Sequence, residues 1–227
     1  MLNQDTYFFQ VEGDAWFKRN KDALAAGKKT DWPEFLLGMI HDPGDLSRVL
    51  ELGCANGWRL DTLQKKLEIG SASCVGVDAS AEAIEAGKQQ FPSLTLLRGV
   101  LTDVPLQEEF DLVIVNFVLH WVDRSTLARS VSEIDRLIRD DGLLILGDFL
   151  PDAPQLRPYH HAKDQAIFTF KQDYAKIFEA LGTYRELARV TFNHDAPSSD
   201  IRTADASNRG GCILLKKSLQ GYYQERR

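Results

Sequence analysis

The chain has 227 residues, of which 44% are hydrophobic, 26% charged and 10% aromatic. That composition excludes disordered, collagen-like and coiled-coil chains and suits one α/β domain with a sizeable core. Its 27 basic and 33 acidic residues leave a net charge of −6, without the basic footprint that gives a protein broad affinity for nucleic acid.

The chain opens without a basic segment leading into an apolar run, and its longest apolar stretch, 110–122, is broken by Asp111, Asn116 and His120. A cytoplasmic protein with no membrane span is expected. Residues 7–40 read as helical and aromatic-rich, so residues 1–44 are predicted to form an N-terminal helical lead-in or lid. From Arg48 the pattern changes. Apolar runs at 49–52, 74–78, 94–97, 111–117 and 143–149 alternate with longer segments of helical period, such as Ser125 to Asp140. Such alternation predicts a doubly wound, Rossmann-like α/β fold with a mostly parallel sheet over residues 45–227. An insertion is expected at 150–170, then a helix over Gln172 to Leu181. Strand-like runs at 186–193 and 211–217 complete seven strands, the final one antiparallel.

In an open parallel sheet, ligands bind beyond the carboxyl ends of the strands. The loop after the first run, Glu51-Leu52-Gly53-Cys54-Ala55-Asn56-Gly57, is therefore the first candidate site. Gly53 and Gly57 permit a tight turn and close approach of backbone to ligand, and Cys54 and Asn56 belong to the same loop. A dinucleotide fingerprint starting at Gly53 would need glycines where the chain has Ala55 and Trp58. Glu51 also disfavours pyrophosphate and suits a cationic ligand, such as the ammonium and sulfonium of S-adenosylmethionine. Asp78, closing the second run, can accept hydrogen bonds from both hydroxyls of a ribose. The cysteines 54, 74 and 212 contain no C-x-x-C pair, so neither a disulfide framework nor a metal site is expected.

VLELGCANG, VGVDAS, EEFDLVIVNFVLHWV and DGLLILGDF resemble, in order and spacing, the motifs of class I S-adenosylmethionine-dependent methyltransferases. The resemblance covers residues 45–150 well and the end of the chain more loosely. It implies that Glu51, Gly53, Ala55 and Gly57 surround the methionine part of the cofactor and that Asp78 holds the ribose. It further implies that Ala79 flanks the adenine, that Val100 and Leu101 meet its edge, and that Asn116 and Phe117 lie beneath. Val100 stands where many members have an acid, which passes recognition of the adenine amine to backbone groups or to Asp103. GDAWFKRN and PYHH with FKQDYAKIF are similar to methyltransferases of surface-polysaccharide or nucleotide-sugar pathways, which implies a sugar hydroxyl as acceptor.

Three histidines are candidate catalytic groups, because a base of near-neutral pKa assists transfer to a hydroxyl. His120 follows the fourth run by three residues, and His160 and His161 lie in the insertion that would roof an acceptor pocket. Arg19 is a candidate partner for the cofactor carboxylate, with Trp16 and Tyr7 closing over it or packing the lead-in helix. The expected function is methylation of a small-molecule acceptor by a monomer or homodimer that binds no nucleic acid. The alternatives are a non-catalytic cofactor-binding protein and a nicotinamide-dependent oxidoreductase.

Overall fold

The computed structural model describes residues 3–26, 30–40, 46–66, 68, 73–162, 165–196, 201–203 and 205–223. The boundary expected at residue 44 lies outside the described residues. Helix α1 (Gln4–Tyr7), a π-helical turn (Phe8–Glu12) and α2 (Gly13–Ala25) run on from one another. They precede α3 (Trp32–Leu37), β1 (Val49–Leu52), α4 (Trp58–Lys66), β2 (Cys74–Asp78), α5 (Ala81–Gln90), β3 (Thr95–Arg98) and β4 (Phe110–Asn116). The chain continues through α6 (Leu127–Arg136), β5 (Ile138–Phe149), β6 (Gln155–Pro158), β7 (Phe168–Lys171), α7 (Ala175–Ala180), β8 (Tyr184–Asn193) and β9 (Arg209–Lys217).

Seven strands make one sheet in the order β3-β2-β1-β4-β5-β9-β8, and β6 pairs with β7 separately. The pairs β1–β2, β1–β4, β2–β3 and β4–β5 are parallel, whereas β9 runs antiparallel to both of its neighbours. Short runs without alternation suit such strands because helices cover both faces. Leu50 and Leu52 pack on the face shared with α6 and α7. Val49 packs on the opposite face with Leu60 and Leu63 of α4 and with α3. Side chains alternate along a strand, so Glu51 shares the face of Val49 and turns toward α3 and α4.

Capping defines several of the helix starts. Asp31 accepts from the Glu34 backbone at 3.1 Å to begin α3, and Ser80 accepts from Ala83 at 3.0 Å to begin α5. The helix expected to reach Asp140 stops at Arg136, because Ile138 already pairs with Phe110 in the sheet. The insertion at 150–170 is not a plain loop: β6 and part of β7 lie within it. Among the described residues no helix is long and apolar enough to cross a membrane.

The chain order departs from β1 in two directions, toward β2 and β3 on one side and β4 and β5 on the other. A crevice at the carboxyl ends of β1 and β4 is the geometric result.

Candidate cofactor and acceptor site

A cavity of ≈ 940 Å³ occupies that crevice, large enough for a nucleoside cofactor together with a small acceptor. One wall is the loop after β1. Its turn needs left-handed backbone at three positions, with φ of 79° at Gly53, 50° at Ala55 and 82° at Gly57. A Cβ at Gly53 would collide with Val118, so this backbone passes close beneath the cavity floor. Gly53 and Cys54 donate to the Val77 carbonyl at 2.7 and 3.2 Å, which ties the loop to the end of β2.

Asp78 stands beside it. Its Oδ2 accepts from Ala55 N at 2.8 Å and its Oδ1 from Ser80 N at 2.8 Å. Burial pushes its carboxyl above the ordinary value, and these backbone N–H groups offset that only in part. Both oxygens are thereby oriented and keep lone pairs for a diol. Ala79, Val100 and Leu101 continue the wall, while Asn116, Phe117 and Val118 line it from the end of β4. Thr102 lines it too, and Asp103, suggested for the adenine amine, does not. Cys54 is in the wall as a buried free thiol whose pKa burial pushes well up, which disfavours a nucleophilic role.

Three residues expected around the cofactor lie elsewhere. Glu51 is 0% exposed and stands outside the cavity wall, paired with the Arg59 guanidinium, whose Nε lies 3.0 Å from both oxygens of Asp31. The strand alternation described above is the reason. Asn56 is buried and donates to Gln90 Oε1 at 3.1 Å, and Gly57 backs onto Leu94 and Leu96. Arg59, which the sequence reading passed over, does line the cavity. Its cluster holds two carboxylates to one guanidinium, and Glu51 Oε2 is buried without a hydrogen-bond partner. Arg19 also lines the cavity, but its Nη2 donates to Glu12 and, at 3.1 Å, to the Tyr159 hydroxyl. Tyr159 in turn donates to Glu12 Oε1 at 2.7 Å. This network fastens α2 to the insertion.

These groups fit S-adenosylmethionine. The anchored Asp78 carboxylate suits the ribose, the glycine-shaped loop lets backbone approach the amino-acid portion, and the acid excess around Arg59 favours a cation nearby.

The far side of the cavity carries polar groups of a different kind. His120, 3% exposed, lies in the helical turn Leu119–Trp121 that follows β4. Its Nδ1 is 2.9 Å from Asp148 Oδ1, at an angle too bent for a well-aligned hydrogen bond, and its backbone N–H donates to Asp148 Oδ2 at 3.2 Å. His120 lines the cavity. Trp121 and Phe149 pack on the imidazole with ring centroids 4.4 and 5.1 Å away.

His160 and His161 both line the cavity. Adjacent residues cannot share one face of a strand, but these two follow β6 in a turn, with rings 3.9 Å apart. Trp16 lines the cavity and meets Trp121 edge to face, while Tyr7 packs with Phe8 and Tyr159 in a small satellite core. Asp148, Phe149, Arg157 and Thr169 were not singled out from sequence, whereas Lys171 was expected near the roof. Asp148 sits in the run LLILGDF, where a charge inside an apolar strand was the one available signal. Among the described residues no group of three or more His, Cys, Asp or Glu side chains could hold a metal ion.

Residues 49–142 match a family described as a methyltransferase domain. An uncharacterised methyltransferase of Synechocystis sp. is 32% identical over 102 residues, covering 44% of this chain and 46% of that protein. A trans-aconitate 2-methyltransferase of Azoarcus sp. is 30% identical over 103 residues, covering 45% of this chain and 39% of that protein. The chain thus spans less than half the length of these curated relatives. The N-methyltransferase NodS of Bradyrhizobium japonicum, solved in complex with S-adenosyl-L-homocysteine, shares the fold with a TM-score of 0.51 at 16% identity, covering 75% of this chain and 78% of that one. The matched domain and the sheet topology together support a class I S-adenosylmethionine-dependent methyltransferase.

Proposed function

We propose that the protein transfers a methyl group to a hydroxyl of a small molecule, a sugar or a related metabolite, with His120 as general base. The approach of Asp148 to His120, which lines the same cavity as Asp78, carries this reading. The relative named trans-aconitate 2-methyltransferase supports a small-molecule acceptor.

When bound, S-adenosylmethionine supplies a methyl group activated as a sulfonium. The chain's own work is alignment and proton handling. As the acceptor oxygen forms its bond to carbon, its O–H bond breaks and the proton passes to His120 Nε2. Asp148, facing Nδ1, selects the tautomer with a free Nε2 and stabilises the imidazolium that forms. Trp121 and Phe149 exclude water around the ring, which strengthens the Asp148–His120 attraction. His160 and His161 serve as acceptor contacts, being exposed at the roof rather than fixed by a carboxylate. The helices before β1 act as a lid, held by the Glu12–Arg19–Tyr159 network.

Incubation with methyl-labelled S-adenosylmethionine and a panel of sugars, sugar acids, nucleotide sugars and phenols tests the proposal. Label should appear in a hydroxyl-bearing acceptor. Tight binding of S-adenosylhomocysteine with no turnover on any acceptor would favour a binding protein, and tight NAD binding in its place would favour an oxidoreductase.

A further inference from the structure

The hairpin of β6 and β7 forms part of the cavity roof, and its register decides which side chains look inward. Gln155 pairs with Lys171, Leu156 with Phe170, and Arg157 with Thr169. Side chains alternate across a strand, so Gln155, Arg157, Thr169 and Lys171 share one face. Arg157, Thr169 and Lys171 line the cavity.

Lys171 is 7% exposed. A lysine this buried ordinarily meets a carboxylate. Here Nζ donates to the Ser207 carbonyl at 2.8 Å and to Asn208 Oδ1 at 3.3 Å, and it stands 3.7 Å from the centroid of the Phe149 ring. All three partners are neutral, and among the described residues no carboxylate lies within ion-pair distance. Asp195, Asp148 and Asp205 act on it only from farther away, and each is engaged by another donor. Asp195 accepts from Asn208 at 2.6 Å, Asp148 from Phe149 N at 2.7 Å, and Asp205 from Ser207 N at 2.7 Å.

The second cation increases the imbalance. Arg157 is a diagonal neighbour of Lys171 on the same face, where like charges repel. Its Nε donates to Gln155 Oε1 at 3.0 Å, a neutral acceptor. Burial, and after it Arg157, pushes the Lys171 ammonium below its ordinary pKa. A bound anion would counter both effects.

We propose that this end of the cavity is a subsite for an anionic group of the acceptor, a carboxylate or a phosphate, with Lys171 and Arg157 as specificity-determining residues. The link to methyl transfer rests on the function proposed above; the anion site itself does not. One ring joins the two halves of the acceptor pocket. Phe149 has the Lys171 ammonium 3.7 Å from its centroid and the His120 ring centroid 5.1 Å away. An acceptor anchored by its anion at Lys171 can therefore present a hydroxyl a few bonds away to His120. Hydroxy acids, sugar acids and sugar phosphates have this form. A neutral sugar would leave the lysine without a counter-charge at ion-pair distance.

The test uses the full chain saturated with S-adenosylhomocysteine, titrated calorimetrically with inorganic phosphate, with malonate and with neutral glucose. At least one anion should bind at one site while glucose does not, and the anion that binds identifies the favoured group. Lys171→Met should weaken that binding by at least about tenfold, the scale of one lost charge-assisted contact, with S-adenosylhomocysteine affinity retained. Failure of both anions to bind wild type, or unchanged anion affinity in Lys171→Met, would overturn the subsite. If Lys171→Met does not fold, the exposed Arg157→Gln decides: weaker anion binding supports the site and unchanged binding overturns it. If the anions bind and S-adenosylhomocysteine does not, the methyltransferase reading fails and the anion site stands.

Discussion

Asp148 meets His120 at two points, accepting from the backbone N–H at 3.2 Å and lying 2.9 Å from the ring Nδ1, so one carboxylate holds the backbone of the residue and sets the charge beside its ring. A histidine held only by packing would have neither. His120→Ala should lower kcat by roughly 10²-fold or more, the ordinary contribution of a positioned base. Asp148→Asn, which keeps the shape and loses the charge, should lower kcat with little change in the KM of either substrate. S-Adenosylhomocysteine affinity, measured by calorimetry, should stay near the wild-type value in both variants; a large loss would mean that the pair supports the cavity instead of the proton transfer.

Asp78 is anchored from below by Ala55 and Ser80 and turned toward the cavity. Asp78→Ala should weaken S-adenosylhomocysteine by about 1.5–3 kcal/mol, the typical loss for hydrogen bonds to a charged acceptor. Competition by adenosine and by 2′,3′-dideoxyadenosine checks the cause. Wild type should prefer the diol, and the variant should bind the two alike.

Glu51 gives a pH dependence of definite sign. Burial pushes its carboxyl up to about 7, against the pull of Arg59, from an ordinary 4.5. Between those values the folded chain retains a proton that the unfolded chain has released, so this group's contribution to stability falls as pH rises through the window. Glu51→Gln abolishes the titration. The Tm of wild type relative to this variant should therefore decline from about pH 5 to about pH 8, and a constant difference across that range would refute the buried titration.

Gly53 has φ of 79°, and a Cβ there meets Val118. Gly53→Ala should cost at least about 1–2 kcal/mol from backbone conformation alone, before the collision is counted. Chemical denaturation should show a lower midpoint at unchanged slope. The loss of cofactor affinity should exceed that of Gly57→Ala, because Gly57 turns away from the cavity toward Leu94 and Leu96.

The sheet was legible because its strands are apolar runs without alternation, separated by helical segments, and few other folds accommodate that pattern. Asp78, Gly53, Ala55, Asn116 and Phe117 were legible as lining residues because each lies at a fixed offset from a strand end. Glu51 was misread for a related reason: proximity to the turn suggested contact, but alternation along β1 sends it to the α4 side. Arg157 was invisible, and Lys171 was legible only as a residue near the insertion. They face the cavity only through the pairing of two four-residue strands ten residues apart, and no local period marks so short a hairpin. Asp148 became meaningful only when the carboxyl end of β5 was brought beside the turn after β4.

Gly13 begins α2 where a Cβ would lie 3.1 Å from Ser80 N, and the next residue, Asp14, accepts from Ser80 Oγ at 2.6 Å and Glu82 N at 3.0 Å. The amino-terminal helix therefore rests directly on the main chain next to Ala79, with no side chain as a spacer. The spacing of α2 from that main chain is set by the size of a hydrogen atom. A side chain at position 13 would thus have to lift α2 from the start of α5 and part the two Asp14 hydrogen bonds together, so the seat of this helix beside the cavity depends on the absence of one methyl group.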